Sequence, residues 1–548
     1  MLQWIADAAD LALQVLGYYW PLLILLALIW KVRLPERWRS SAGSQWLEGL
    51  AQRPLASKAV IFSIAILFAA VPAFFQGPPL PWMHDDYANL LGGEMLASGS
   101  LSAPPHPLWR HFETMHQLMV PRYASKYPPG QALVLAAGVR VFREAIAGEW
   151  IVTAAACAAI GWAVGTWMTP LAGLLAGLAA AIHPTIFEWA NSYRGGGLAA
   201  LAGALLLGST SRFTERPQVR YVLVASLAAV GLMVTRPFEG ALLMMACALV
   251  VVRKVEGRAL IRPLPVVVLI LGAGLAAHAL YNKAITGSPA EMPYALYKKQ
   301  YDPMPIFIWQ SPTPVPTHRN EELATMYRVY MSQYRRQASL RGYLSESRKK
   351  LDVLFRSLIG RPATPPLERL SPLFLLLFLP LGEVARTAVG RRVLLILGLC
   401  LVASFLITGW VLTLYLAPAA AAAATLVMLL LRAMQESERM ATAAAVIVLL
   451  FVINSATSFV QSCRTPPSGM EPERQRITRE LESSGGAHLI LVPPSIFGAT
   501  YNGPDIDRQP VVWARELPSN EQLLAYYRDR HVWRLSNNVR RLSVTRVR

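Results

Sequence analysis

The chain has 548 residues, 54% hydrophobic and 16% charged, with a formal net charge of +19 and a mean hydropathy of +0.37. So apolar a balance over this length excludes an ordinary soluble globular protein. The positive charge does not point to nucleic acid, because Lys and Arg are scattered between apolar runs; loop bias and contact with anionic lipid account for it.

Apolar runs of roughly 17 to 23 residues recur, each long enough as a helix to cross a hydrocarbon core of ~30 Å. Helices satisfy their own backbone groups in lipid, so the expected fold class is an all-α polytopic membrane protein. Expected spans are residues 11–30, 59–75, 150–168, 170–187, 194–210, 219–234, 238–252, 263–281, 372–388, 393–408, 412–431 and 441–459, about twelve helices in all. The first run lacks a positive leader and a cleavage site, so it is read as a retained span. Cys157, Cys247 and Cys400 lie inside apolar runs and Cys463 in an aqueous segment, a pattern without disulfide or metal spacing.

Lys31, Arg33, Arg37 and Arg39 follow the first span against one acid, Glu36. Positive loops stay inside, so the second span emerges outside, and the other basic loops agree with both termini outside. The organisation that follows is a transmembrane module over residues 1–460 with outer loops at 76–149 and 282–370, then a small soluble α/β tail at 461–548. Residues 132–143 are too short to span and read as an interfacial helix. Residues 321–358 read as one or two surface helices. In the tail, EPERQRITRELESS and NEQLLAYYRDR read as helices and AHLILVP, PVVWAR and HVWRL as strands.

The polar stretch from Trp82 to Gln131 stands out in so apolar a chain. Asp85 and Asp86 follow the second span directly, where a carboxylate is expensive unless functional; one of them also suits a helix cap. Adjacent carboxylates raise one another's pKa, which suits a base. Lys126 is held beside Pro128 and Pro129 at the outer interface, well placed to neutralise a lipid-linked phosphate. Arg110, Arg122, Arg140 and Arg143 add cations on the same face, the last two equally suited to headgroups. His106, His111, Glu113 and His116 match no metal-ligand spacing, so a divalent metal is not predicted, and no other cofactor is. The next outer loop brings Glu188, Tyr193 and Arg194 beside three glycines, which serve close ligand approach or helix packing equally. Arg236 and Glu239 in TRPFEG suit a structural lock or a substrate contact.

The acidic pair followed by Tyr87, and then KYPPGQ before an interfacial helix, resembles the GT-C-fold glycosyltransferases. Within them it is most similar to the branch of protein O-mannosyltransferases and lipid A aminoarabinose transferases. HPLWRHFE, NSYRGGG, TRPFEG, YNKAITGSPAEMPY and VVWAR extend the likeness to a bacterial subgroup. That branch carries Asp-Glu in this loop, the first acid a proposed base, and a Lys-Pro-Pro-like turn near a lipid phosphate. The resemblance therefore implies a bacterial inner-membrane enzyme with its loops and tail on the periplasmic face. It would move a sugar, with inversion, from a polyprenyl-phosphate donor to a hydroxyl on a lipid, glycan or protein acceptor. Asp85 and Asp86 would be catalytic, and Lys126, Arg122 and Arg194 would meet the phosphate. Tyr87, His106, His111, Glu113, Tyr127 and Tyr193 would be acceptor or sugar contacts. The chain departs from the branch in having Asp86 for Glu, an extra first helix and a small tail. A transporter or flippase of a lipid-linked glycan, or a non-catalytic assembly subunit, is the alternative; the absence of repeated halves weighs against transport.

Overall fold

The computed structural model describes Leu25 and residues 42–316, 320–538 and 541–548. The expected first span, apart from Leu25, and its basic loop lie outside the described residues. The chain continues with α1 (Ala42–Ala51), α2 (Pro54–Gln76), α3 (His84–Ala97), the strands β1 (Gln117–Leu118) and β2 (Ala124–Ser125), α4 (Pro129–Phe142) and α5 (Ala145–Trp167). Then follow α6 (Pro170–Ile182), α7 (Pro184–Ala190), α8 (Gly197–Glu215), α9 (Val219–Met233), α10 (Pro237–Lys254), α11 (Arg258–Ile261) and α12 (Leu264–Thr286). The segment between α12 and the next apolar run carries α13 (Pro293–Tyr301), α14 (Glu321–Arg336) and α15 (Leu340–Ile359). After α16 (Pro365–Leu370) come α17 (Leu381–Arg386), α18 (Ala388–Leu406), α19 (Ala420–Met434) and α20 (Glu438–Arg464).

Six described helices are long and apolar enough to cross a membrane, or seven if α6 and α7, bent by 60°, form one span. The protein is a multi-pass membrane protein. Among the described residues fewer helices reach that length than expected from sequence, for local reasons. The expected span at 372–388 carries Pro372 and Pro380, neither of which can continue an interior α-helix ladder. The chain there forms a 3₁₀ segment, Ser371–Phe378, and then the short α17. The apolar run at 219–234 forms a helix of 15 residues, and the expected spans at 194–210 and 238–252 correspond to α8, which begins only at Gly197, and to α10, also outside the six. Lipid-facing character is plain on α12, where Val268 is 69% and Leu269 72% exposed.

Small residues bring the helices of the bundle close together. Gly148 of α5 is the sharpest case on the path to the outer loop: a Cβ there would lie 2.0 Å from the Val134 carbonyl oxygen of α4. Gly148→Ala must push α4 off α5, at a cost of roughly 1–3 kcal/mol for overpacking. A lower thermal midpoint in detergent is the expected reading, and an unchanged one would show that the two helices separate freely.

The tail forms α21 (Met470–Ser484), β3 (His488–Val492), β4 (Val511–Arg515), α22 (Glu521–Tyr526), β5 (His531–Asn538) and β6 (Arg541–Arg546). The sheet order is β4-β3-β5-β6, with β3 parallel to β4 and β5, and β6 antiparallel to β5. All three expected strands form; β6 is additional. Alternate side chains of a strand point to opposite faces. On one face Ile490 and Val492 pack with Ile477 and Leu481 of α21. On the other, Leu489 and Leu491 share a core with Leu91 and Met95 of α3 and with Phe112, Met119 and Tyr123 of the first loop. The tail sheet and the loop region that follows α2 are thus closed by one apolar core. The one or two helices expected at 321–358 form as two, α14 and α15.

Candidate active site

Asp86 fixes where α3 begins. Its Oδ2 accepts from the backbone N–H of Met83 at 3.1 Å and of Trp82 at 3.3 Å, a cap reaching back from the third helical position. Its Oδ1 accepts from Ser192 Oγ at 3.1 Å and from the Arg194 N–H at 3.0 Å. Asp86 is fully buried, and burial pushes its pKa up against Arg194 and these donors. Its neighbour Asp85 therefore projects from a pinned first turn.

A hairpin of two-residue strands brings the rest together. Gln117 pairs with Ser125 and Leu118 with Ala124, and the Lys126 N–H donates to the His116 carbonyl at 3.2 Å. His116 and Lys126 are thereby opposite one another, although ten positions apart in sequence. Pro129 at the first turn of α4 suits a helix start, and the Gly130 N–H donates to Val234 O at 2.9 Å. The turn carrying Lys126 and Tyr127 is thus anchored from both sides.

Asp85 stands at the centre of this group. Tyr127 donates its hydroxyl proton to Asp85 Oδ1, and His116 Nδ1 lies 3.4 Å from the same oxygen. The Tyr127 hydroxyl is also 3.1 Å from His116 Nδ1. Burial alone would raise the Asp85 pKa, but His116, Lys126 and the Tyr127 hydrogen bond together hold it well below the usual carboxylate range. The expected mutual elevation by two adjacent acids fails here, because Asp86 is turned away into its cap. Asp85 keeps 29% of its side chain exposed, and its lowered pKa leaves it ionised at neutral pH.

Lys126 is buried, its ammonium 4.8–5.1 Å from the ring centres of Tyr127, Tyr294 and Tyr297. Aromatic faces stabilise a cation without neutralising it. Among the described residues the ammonium has no ion pair. Burial pulls its pKa down to about 8, opposed by Asp85 and Asp302. His84, held to about 4 by burial and then by His116, meets the hydroxyl of Tyr501 from the tail.

The other sequence-predicted residues are placed elsewhere. Arg122 donates to Ser102 Oγ at 3.0 Å. Arg194 lies 3.6 Å from both Asp86 and Glu188 and 5.3 Å from the Trp82 ring centre, so its charge is already matched. Tyr193 donates to Pro79 O at 2.9 Å. Tyr87 donates to Glu471 and stacks on Tyr501 with ring centres 3.6 Å apart. His106 contacts Asp507 at 3.1 Å and His111 the Arg515 carbonyl at 2.8 Å. The Glu113 carbonyl accepts from Asn320 at 2.8 Å. Tyr87, His106 and His111 thus fasten the tail, and Glu113 meets the second loop. No cluster of three or more metal-ligating side chains occurs among the described residues. The structure adds His84, His116, Tyr294, Tyr297 and Tyr501 to the centre. The sequence signal for His116 was its place in the polar loop; Tyr501, in the tail, left none.

The chain aligns with ArnT from Cupriavidus metallidurans in its apo state at a TM-score of 0.52 and 10% identity, over 90% of this chain and 93% of that one. The chain has the GT-C fold. The oligosaccharyltransferase of Archaeoglobus fulgidus in its apo form aligns at a TM-score of 0.48 and 10% identity, over 80% of this chain and 62% of that one. The archaeal AglB from the same organism, in complex with an inhibitory peptide and a dolichol-phosphate, aligns at 0.44 and 11% identity, over 80% and 62%. The chain therefore spans less than two thirds of the archaeal enzyme's length. No family model and no curated protein matches the chain.

Proposed function

We propose that the protein is an integral-membrane glycosyltransferase that moves a sugar from a polyprenyl-phosphate donor to an acceptor hydroxyl. Its place would be a bacterial inner membrane, with Asp85, the outer loops and the tail on the periplasmic face. One observation carries the reading: an ionised carboxylate, Asp85, and a buried lysine that makes no ion pair among the described residues, Lys126, interact within one tyrosine-lined group. The acceptor hydroxyl attacks C1 from the side opposite the phosphate, so the configuration inverts. Its proton goes to the basic centre built on Asp85. The lipid phosphate leaves as an anion and requires cation stabilisation more than a general acid, a role for Lys126. Asp86 holds Asp85 in place through its cap. Arg122 and Arg194 belong to the supporting structure in this reading. The 1–460 membrane module and the 461–548 tail act together, because the tail helps close the loop that carries Asp85.

The test is a transfer assay on the purified protein in bilayers, with a panel of polyprenyl-phosphate sugars and native membranes as acceptor. Sugar transfer from one or more donors is expected, and none from any would overturn the reading. Lys126→Ala is expected to raise the apparent donor KM roughly tenfold or more, the scale of a lost charge-assisted contact. Lys126 is charged below its pKa of about 8, so donor binding should weaken as pH rises through that value. Lys126→Arg, which stays charged, should remove that limb; a limb that persists would point to another group.

A further inference from the structure

We infer that the atom receiving the acceptor proton is Nε2 of His116, with Asp85 and Tyr127 orienting the imidazole from behind. This rests on the glycosyl-transfer reading above and specifies its base.

The argument is one of counting protons. Tyr127 has a single hydroxyl proton, and it goes to Asp85, which when ionised only accepts. The Tyr127 oxygen, 3.1 Å away, and Asp85 Oδ1, 3.4 Å away, then both present lone pairs to His116 Nδ1. The proton of a neutral imidazole therefore sits on Nδ1, which leaves the lone pair on Nε2. Among the described residues Nε2 makes no hydrogen bond, nor is it one of the buried atoms closed off without a partner. A carboxylate behind one ring nitrogen with the other left basic is the arrangement by which an acid fixes a histidine base and steadies its imidazolium.

The backbone is committed to this placement. His116 has φ of +65°, a left-handed conformation uncommon outside glycine and often found at functional sites. Its N–H donates to the Tyr297 hydroxyl at 2.9 Å and its carbonyl accepts from Lys126. The titratable and charged groups facing the ring are His84, Asp85, Lys126, Tyr127, Tyr297 and Asp302. Burial and then Lys126 hold its pKa below the ordinary histidine value, Asp85 pulling the other way, so the ring is neutral at neutral pH. A donor phosphate on Lys126 would offset that cation and make His116 a stronger base once the donor is bound.

In the step itself the acceptor O–H bond breaks and its proton bonds to Nε2. The oxygen's electron pair forms the new bond to C1. The bond from C1 to the phosphate oxygen breaks, and its pair leaves with the lipid phosphate. The imidazolium returns its proton to water before the next turnover.

Glycine tolerates the backbone of His116, so His116→Gly in the full-length protein removes the ring without opposing the fold. The variant is expected to lose at least about a hundredfold in kcat, to keep its donor KM, and to regain rate with added imidazole in proportion to the neutral form. Wild-type kcat/KM should fall on the acid side, below the ordinary histidine pKa, and His84→Asn should retain that limb. Wild-type protein that transfers no sugar would overturn the glycosyl-transfer reading. Wild-type transfer together with a His116→Gly rate within about threefold of it, or a folded variant that imidazole does not rescue, would overturn the histidine assignment alone.

Discussion

Asp85→Asn is expected to leave the protein folded and to slow transfer by at least about a hundredfold. Asparagine has nearly the shape of aspartate, and its amide oxygen still accepts from Tyr127, so the hairpin and the start of α3 keep their contacts. The lost element is the negative charge, which faces His116 and Lys126 in the native site. Without it, nothing steadies positive charge developing on the basic centre, and the amide can donate to His116 Nδ1, which permits the wrong tautomer. Radiolabelled transfer at saturating donor, with donor KM measured alongside, checks this. A rate within a fewfold of wild type would remove Asp85 from the chemistry. Asp86→Asn provides the contrast: its carboxylate serves backbone N–H groups and Ser192, so loss of folded protein should precede loss of rate.

Arg515→Ala should have the largest effect on stability. Arg515 of β4 and Glu322 of α14 are each 1% exposed and form a buried ion pair. Arg515 also donates to Ile496 O at 3.0 Å, and Glu322 accepts from the Gly498 N–H at 2.9 Å. The pair therefore clamps the β3–β4 loop, which carries Tyr501, onto α14. Removing one partner leaves a charge buried without compensation, at a cost of roughly 3–5 kcal/mol. A lower apparent Tm and faster proteolysis of the tail are expected. Arg515→Met combined with Glu322→Gln should recover much of the loss, because the unpaired charge is gone. A single variant as stable as wild type would show that the tail is held mainly by its apolar core.

Much of the architecture was legible from one-dimensional pattern. Apolar runs gave α2, α5, α12, α18, α19 and α20, because crossing lipid demands length and hydropathy that no soluble segment needs. Short apolar runs gave β3, β4 and β5; β6 instead alternates, with Leu542 and Val544 set among polar and basic residues, a weaker signal. Prolines at 372 and 380 did carry a warning against a straight span there. In the site, Asp85, Lys126 and Tyr127 announced themselves as polar groups at a membrane boundary beside fixed prolines. Arg194 announced itself equally, and only packing shows its charge matched by Asp86 and Glu188.

What the sequence by itself determined is the class of the protein, most of its long helices and the polar loop that carries the candidate site, because those follow from hydropathy and local backbone preference. The tertiary structure alone decided the division of labour within the pair Asp85 and Asp86. Adjacent on a helix, the two side chains diverge, so one is consumed by backbone N–H groups while the other meets His116 and Tyr127. It also decided that His116 faces Lys126 through a hairpin of two-residue strands, too short to leave a pattern. The tail's place over the same loop depends on side chains from segments hundreds of residues apart, Tyr87 with Tyr501 and Glu322 with Arg515, and no local preference encodes such a meeting.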